Sequence, residues 1–292
     1  MPEMVNSALF HKYLQSELQE STIPEFHPVS GGDINQAFRL GFPGGRDYFL
    51  KINSEFKKEF FIAEAQGLKA LEGSQTLRVP QVLMVSEWED QAFMILEFIP
   101  SGKRDSRSAL QLGKGLAKLH LSSSETFGWS EDNYIGPLVQ CNQKRSSWPE
   151  FYAEMRILPM LRRAFDHGLL GVQDLKAAEA FCRFYPDLIP EEKPALLHGD
   201  LWSGNVIYDE NDQAVLIDPS VYYGHREMDL AMMYLFGGFT SDTFDSYDDH
   251  YPLTGDWRAR IPYQQLFPLL VHLNLFGASY LSSCRAVWRA FA

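Results

Sequence analysis

Two short segments constrain this chain more than any others: Leu196-Leu197-His198-Gly199-Asp200-Leu201-Trp202-Ser203-Gly204-Asn205-Val206-Ile207, and Val215-Leu216-Ile217-Asp218-Pro219. They place a His two residues before an Asp, an Asn five after it, and a second Asp eighteen after it, delivered by an apolar strand. Asp and Asn in a lone turn often do no more than satisfy local backbone groups. Four polar residues in this register ask for a chemical reason. A carboxylate at Asp200 can accept the proton of an alcohol while aligning its oxygen for attack on a phosphate. The amide oxygen of Asn205 and the carboxylate of Asp218 are hard donors suited to magnesium, which keeps part of its coordination for substrate phosphates. His198 is expected to brace the loop through hydrogen bonds.

The rest of the chain divides by pattern. Residues 4 to 18 have helical spacing, with Leu9, Tyr13 and Leu14 suited to one face. Strand-like runs follow at Phe38-Arg39-Leu40, Tyr48 to Ile52, Val82 to Val85 and Phe93 to Leu96, interrupted by one helix over about residues 55 to 72. From residue 106 the pattern turns helical, with segments at 106–122, 148–167, 172–185, 226–236 and 261–281, and short strand-like runs near 195–198, 205–208 and 214–217. The reading is α+β and bilobal: a small β-rich lobe over residues 1–99, then a larger helical lobe over 100–292, joined through Phe98-Ile99-Pro100-Ser101-Gly102. At 292 residues and 45% apolar composition, either lobe can bury a core.

A lobe that binds ATP needs a strand lysine and an acidic partner on the next helix. Lys51 lies within an apolar run, where it is costly unless paired. Alone it could equally be an edge-strand lysine reaching water. Glu64 falls on the Phe60, Phe61, Leu68, Leu71 face of the following helix and is expected to point inward to Lys51, whereas Glu55 and Glu59 lie off that stripe. The glycines of Ser30-Gly31-Gly32-Asp33-Ile34-Asn35 could let backbone N–H groups approach phosphates, although a plain hairpin turn would look the same. Glu97 and Phe98 are placed as a hinge strand whose backbone would meet adenine.

His198-Gly199-Asp200-Leu201-Trp202-Ser203-Gly204-Asn205, Asp218-Pro219 and Tyr223-Gly224-His225-Arg226-Glu227-Met228-Asp229-Leu230-Ala231 resemble the fructosamine (ketosamine) kinase family, related to aminoglycoside phosphotransferases and choline kinases. Asp132-Asn133-Tyr134-Ile135-Gly136 and Trp148-x-x-Phe151-Tyr152 extend the resemblance along the whole chain. It implies a protein-kinase-like fold and transfer of the ATP γ-phosphate, with Mg2+, to a sugar hydroxyl, typically the 3-hydroxyl, of a ketosamine that is either a free metabolite or protein-bound. The phosphorylated adduct then releases its amine, a deglycation. Trp202 would help form the sugar-amine pocket, though a core aromatic is the commoner fate of tryptophan. Asp229, carried over as a structural acid, would hold the catalytic-loop backbone. Some relatives carry a cysteine in the glycine-rich loop where this chain has Asp33, so redox control there is not expected.

Composition trims the alternatives. A formal charge of -12 argues against nucleic acid and anionic membrane as partners. Three dispersed cysteines offer neither a disulfide framework nor a metal-ligand spacing, and the N-terminus has no signal-peptide pattern, so a soluble cytoplasmic protein, as a monomer, is expected. The acidic run Asp242-x-x-Asp245-x-x-Asp248-Asp249 reads as a solvated loop. Competing readings are a kinase for another cationic alcohol, such as an aminoglycoside or choline-like molecule, and a nucleotide-binding pseudokinase.

Overall fold

The computed structural model describes residues 3–29, 35–55 and 57–291. Gly31, Gly32 and Asp33 lie outside the described residues. Helix α1 (Ala8–Glu17) is capped by Ser7, whose hydroxyl accepts from the Phe10 N–H. Phe10 and Leu14, four residues apart, are its buried pair, while Leu9 is 70% exposed. The apolar face is therefore turned one residue from the expected one. The cause is aromatic packing: Phe10 sits 5.4 Å from both the Trp88 and Phe93 rings, a pocket Leu9 could not fill as well.

Five antiparallel strands follow, β1 (Glu25–Val29), β2 (Gln36–Gly41), β3 (Asp47–Asn53), β4 (Val82–Trp88) and β5 (Gln91–Glu97), in the order β1-β2-β3-β5-β4. Strand alternation sends Leu50, Ile52, Phe93 and Ile95 to the α1 side, and Ala92, Met94 and Leu96 to the side covered by α2 (Lys58–Gly73). Lys51 shares that second side. β1 is absent from the sequence expectation because its residues are almost all exposed and include Pro28, which an edge strand tolerates.

Phe98–Gly102 leads without regular structure into α3 (Ser106–His120), which opens with a reciprocal cap between Asp105 and Ser108. The helical lobe then runs through the hairpin β6 (Asn133–Ile135) and β7 (Leu138–Gln140), α4 (Trp148–Phe151), a π-helical stretch Tyr152–Ile157, α5 (Leu158–Asp166), α6 (Val172–Phe184), strands β8 (Ala195–Leu197), β9 (Val206–Tyr208), β10 (Ala214–Leu216) and β11 (Tyr222–Gly224), and helices α7 (Glu227–Phe236), α8 (Ser241–His250), α9 (Trp257–Phe276) and α10 (Leu281–Trp288). Among the described residues no helix is long and apolar enough to cross a membrane.

Two expectations for this lobe are corrected. The acidic run is helix α8, not a loop: Thr243, Phe244, Ser246 and Tyr247 are buried on its inner face, and Ser246 bonds the Leu110 carbonyl of α3. The aspartates occupy the opposite, solvated face, which is why their charge masked the helical period. The helix expected over 261–281 instead ends at Phe276, because Gly277 turns left-handed at φ 84°.

Three features place the site. β8 pairs antiparallel with β11, Leu197 opposite Tyr222, so the loop leaving β8 and the segment entering β11 lie side by side. β9 and β10 form the hairpin that carries the chain from Asn205 to Asp218. Arg78, before β4, bridges the lobes: it pairs with Asp209 beyond β9 and, at 2.5 Å, with Glu97, while its carbonyl accepts from the Leu216 N–H.

Because Leu14 is fully buried against the sheet, Leu14→Ala should lower unfolding free energy by about 2–5 kcal/mol, read by urea denaturation. A loss below 1 kcal/mol would mean that α1 is not integral to this lobe.

Candidate active site

Lys51 is buried to 5% exposure on β3 and makes two ion pairs, to Glu64 of α2 at 2.6 Å and to Asp218. The expected inward turn of Glu64 is present, and Glu55 and Glu59 are exposed. Burial disfavours the Lys51 charge, but Asp218 and Glu64 outweigh it and hold the ammonium above its ordinary pKa. Burial pushes the Glu64 carboxyl up, opposed by Lys51 and reinforced by Asp218.

Asp218 sits at φ 54°, in the left-handed region that Asp tolerates better than most residues. The loop that faces it depends on Gly199. At φ 84° this residue is left-handed, and an added Cβ would lie 2.0 Å from the Ser220 carbonyl oxygen. Asn205 donates through Nδ2 to the Asp200 carbonyl at 2.9 Å and to Asp200 Oδ2 at 3.1 Å, so its Oδ1 remains for another partner. The Asn205 carbonyl accepts from Ile217 N–H at 3.0 Å, locking the two segments one residue before Asp218.

Beneath the loop, Asp229 of α7 is buried and accepts from the backbone N–H groups of His198 at 2.8 Å and Gly199 at 2.9 Å. Burial works against its charge, yet His120, His198 and Gly199 hold its carboxyl below the usual range. His198 is fully buried. Its Nδ1 accepts from the Asp200 N–H at 3.3 Å and its Nε2 donates to the Ile217 carbonyl at 2.9 Å, which sets the tautomer with the proton on Nε2. Burial lowers its pKa, keeping the ring neutral.

The sequence reading missed the next tier. His120 of α3 donates through Nε2 to Asp229 at 3.2 Å, and its Nδ1 meets the Tyr247 hydroxyl of α8 at 2.8 Å. The available signal was a histidine four residues after Leu116 on the apolar face of α3.

Asp200 is half-buried. Burial and the nearby Asp218 charge push its carboxyl up to about 7, against the Asn205 hydrogen bond. A recess beside it is lined by Gly199, Ile135, Met232, Phe267 and His272. Trp202 is not a core residue: it is 39% exposed, edge-on to Phe236 at 6.3 Å. At the hinge, the Glu97 N–H is committed to the Gln81 carbonyl and its carboxylate to Arg78, while the Arg39 guanidinium lies over the Phe98 ring.

Among the described residues no three His, Cys, Asp or Glu side chains cluster to hold a metal unaided. Asn205 Oδ1 and the Asp218 carboxylate, two hard oxygen donors, instead fit an ion that takes its remaining ligands from nucleotide phosphates and water.

The folded protein holds a proton on Asp200 to about pH 7, whereas an unfolded chain releases it near 3.8. Asp200 therefore costs the nucleotide-free fold stability as pH rises from about 4 to about 7, and the cost then levels off. Asp200→Asn should be more stable than the parent at pH 8, by up to about 4 kcal/mol, with the difference shrinking toward pH 4. Equal melting temperatures across that range would contradict it.

A family model for fructosamine kinase matches residues 6–291. An Enterococcus faecium protein named a probable ketoamine kinase is 42% identical over 258 residues, covering 87% of this chain and 90% of its own. The chloroplastic protein-ribulosamine 3-kinase of Arabidopsis thaliana is 33% identical, over 94% of this chain and 85% of its own. The crystal structure of a candidate fructosamine-3-kinase from Thermobifida fusca superposes with a TM-score of 0.86 at 38% identity, covering 98% of both chains.

Proposed function

The chain belongs to the fructosamine kinase family, and from that premise we propose that it phosphorylates the 3-hydroxyl of a ketosamine sugar with ATP. The observation that carries this reading is the convergence of Asp200, Asn205 and Asp218 with the Lys51 ammonium at the junction of the two lobes.

Asp200 accepts the proton of the acceptor hydroxyl as its oxygen forms the new bond to the γ-phosphorus. The bond from that phosphorus to the β,γ-bridging oxygen breaks, and ADP leaves with the electron pair. The Asn205 amide keeps the Asp200 Oδ2 oriented for this role. Lys51, held by Glu64, neutralises phosphate charge. Asn205 and Asp218 would hold Mg2+, which supplies charge neutralisation at the β- and γ-phosphates when bound. His198 and Asp229 fix the loop through its backbone. At the hinge, Phe98 and the backbone beyond Glu97 meet adenine, and Gly31 and Gly32, outside the described residues, are assigned to the phosphates.

Trp202, two residues after the base and 39% exposed, offers an aromatic face suited to the apolar face of a sugar and to the cationic amine it carries. The three cysteines are unbridged, in keeping with a reducing cytoplasm.

The test is ATP consumption over fructosamines, ribulosamines, aminoglycosides and choline, with mass spectrometry of the product. Phosphorylation of ketosamines is expected, and turnover confined to aminoglycosides or choline would overturn the substrate class. In parallel, Asp200→Asn should retain nucleotide binding while kcat falls at least about a hundredfold. A variant close to the parent rate would require another base.

A further inference from the structure

The hairpin β6–β7 is not part of the phosphoryl-transfer machinery described above, yet its first strand touches three parts of it. Strand alternation sends Asn133 and Ile135 to one side and Tyr134 to the other. Asn133 and Ile135 are buried at 6% and 5% exposure, and Tyr134 is half-buried.

Asn133 donates through Nδ2 to the Val221 carbonyl at 2.8 Å, and its Oδ1 accepts from Gln140 and Asn142, each at 2.8 Å. Gln140 also donates to the Ser220 carbonyl at 3.2 Å. The Ser220 hydroxyl completes the attachment by donating to the Tyr134 carbonyl at 2.7 Å. The fully buried Arg156 guanidinium ends the network on Asn142 Oδ1 at 2.7 Å. The residues that immediately follow Asp218 and Pro219 are thus held by buried side-chain amides, whose unpaired state would be costly.

Ile135 forms part of the recess beside Asp200. Facing the other way, the Tyr134 ring lies 4.9 Å from that of Phe60, on the first turn of α2, the helix that carries Glu64. α2 is also seated on the segment the hairpin holds: a Cβ on Gly67 would come within 3.2 Å of Pro219. One three-residue strand therefore contacts the recess beside Asp200, the segment after Asp218 and the helix of Glu64.

We propose that this hairpin couples acceptor binding to the nucleotide half of the site, with Tyr134 as the positioning residue that transmits the state of the recess to α2 and so to the Lys51–Glu64 pair. The inference rests on the kinase reading given above. A ketosamine seated over Asp200 closes the small recess that Ile135 lines, and so bears on the same strand whose Tyr134 holds Phe60, so that the strand and α2 are ordered together. By linkage the effect is reciprocal, and nucleotide tightens acceptor by the same factor. The hydroxyl of Tyr134 has no part in this, whereas its ring is essential.

The experiment is titration calorimetry of Mg2+ and a non-hydrolysable ATP analogue, with and without fructosyl-lysine or ribulosyl-lysine, on the parent, Tyr134→Phe, Tyr134→Ala and Phe60→Leu, each checked for cooperative thermal unfolding. In the parent and Tyr134→Phe, acceptor should tighten nucleotide about fivefold or more. In Tyr134→Ala and Phe60→Leu the factor should drop below about twofold, and combining the two should remove nothing further. Undiminished coupling in a folded Tyr134→Ala, or a parent that binds both ligands independently, overturns the proposal. A parent that binds nucleotide but neither ketosamine refutes the substrate reading instead. Nucleotide affinity alone then judges the hairpin: a weakening of about fivefold in Tyr134→Ala and not in Tyr134→Phe supports it, and equal affinity overturns it.

Discussion

One buried ammonium holds the site together. Lys51 comes from the middle strand of the sheet, Glu64 from the helix that covers it, and Asp218 from the chain segment that links the small strands of the helical lobe. Removing a cation from water costs several kcal/mol unless geometry and partners compensate. Two carboxylates compensate here, and the three charged groups belong to three elements distant from one another in the chain. The sheet can seat Lys51 only if α2 is docked and Asp218 is delivered. Position of the helix, register of β3 and path of the Asp218 segment are therefore one constraint rather than three.

The opposing half is built by a different device. Asp200 and Asn205 lie on a loop without regular structure of its own, so their positions depend on what binds that loop's backbone. Asp229 takes two of its N–H groups, His198 ties it to the Ile217 carbonyl, and His120 with Tyr247 supports Asp229 from two further helices. Rigidity is supplied from these buried partners, while Trp202 and Asp200 on the same loop remain partly exposed. Charge crowding is a consequence. Asp200 is partly withdrawn from water and sits near Asp218 and Asp229, and its raised proton affinity comes first from that burial and then from the neighbouring carboxylates.

What could be read from sequence follows from this division. The juxtaposition of Asp200, Asn205 and Asp218 was legible because the chemistry proposed for them demands particular side chains at set intervals, and that of Glu64 because a carboxylate on an apolar helix stripe asks for a partner. The structure brings these residues together with Lys51. His120 and Tyr247 were not legible, since their contact joins positions 127 apart in the chain and nothing local announces it. Strand β1 escaped because an exposed edge with a proline lacks the alternation that marks a half-buried strand. Helix α8 escaped because its solvent face is charged enough to resemble a loop, and its buried Phe244 and Tyr247 make sense only against α3. Leu9 and Phe10 show the limit of periodicity: either could have led the buried face, and the shape of the aromatic pocket chose Phe10.

The most direct measurement is the anomalous diffraction of Mn2+ in crystals grown with a non-hydrolysable ATP analogue. The metal peak should lie within bonding distance of Asn205 Oδ1 and an Asp218 carboxylate oxygen, on the phosphates, with Lys51 still on Glu64. A peak held by other side chains, or a nucleotide bound with Asn205 and Asp218 facing away from its phosphates, would contradict the assignment of this junction as the phosphoryl-transfer site.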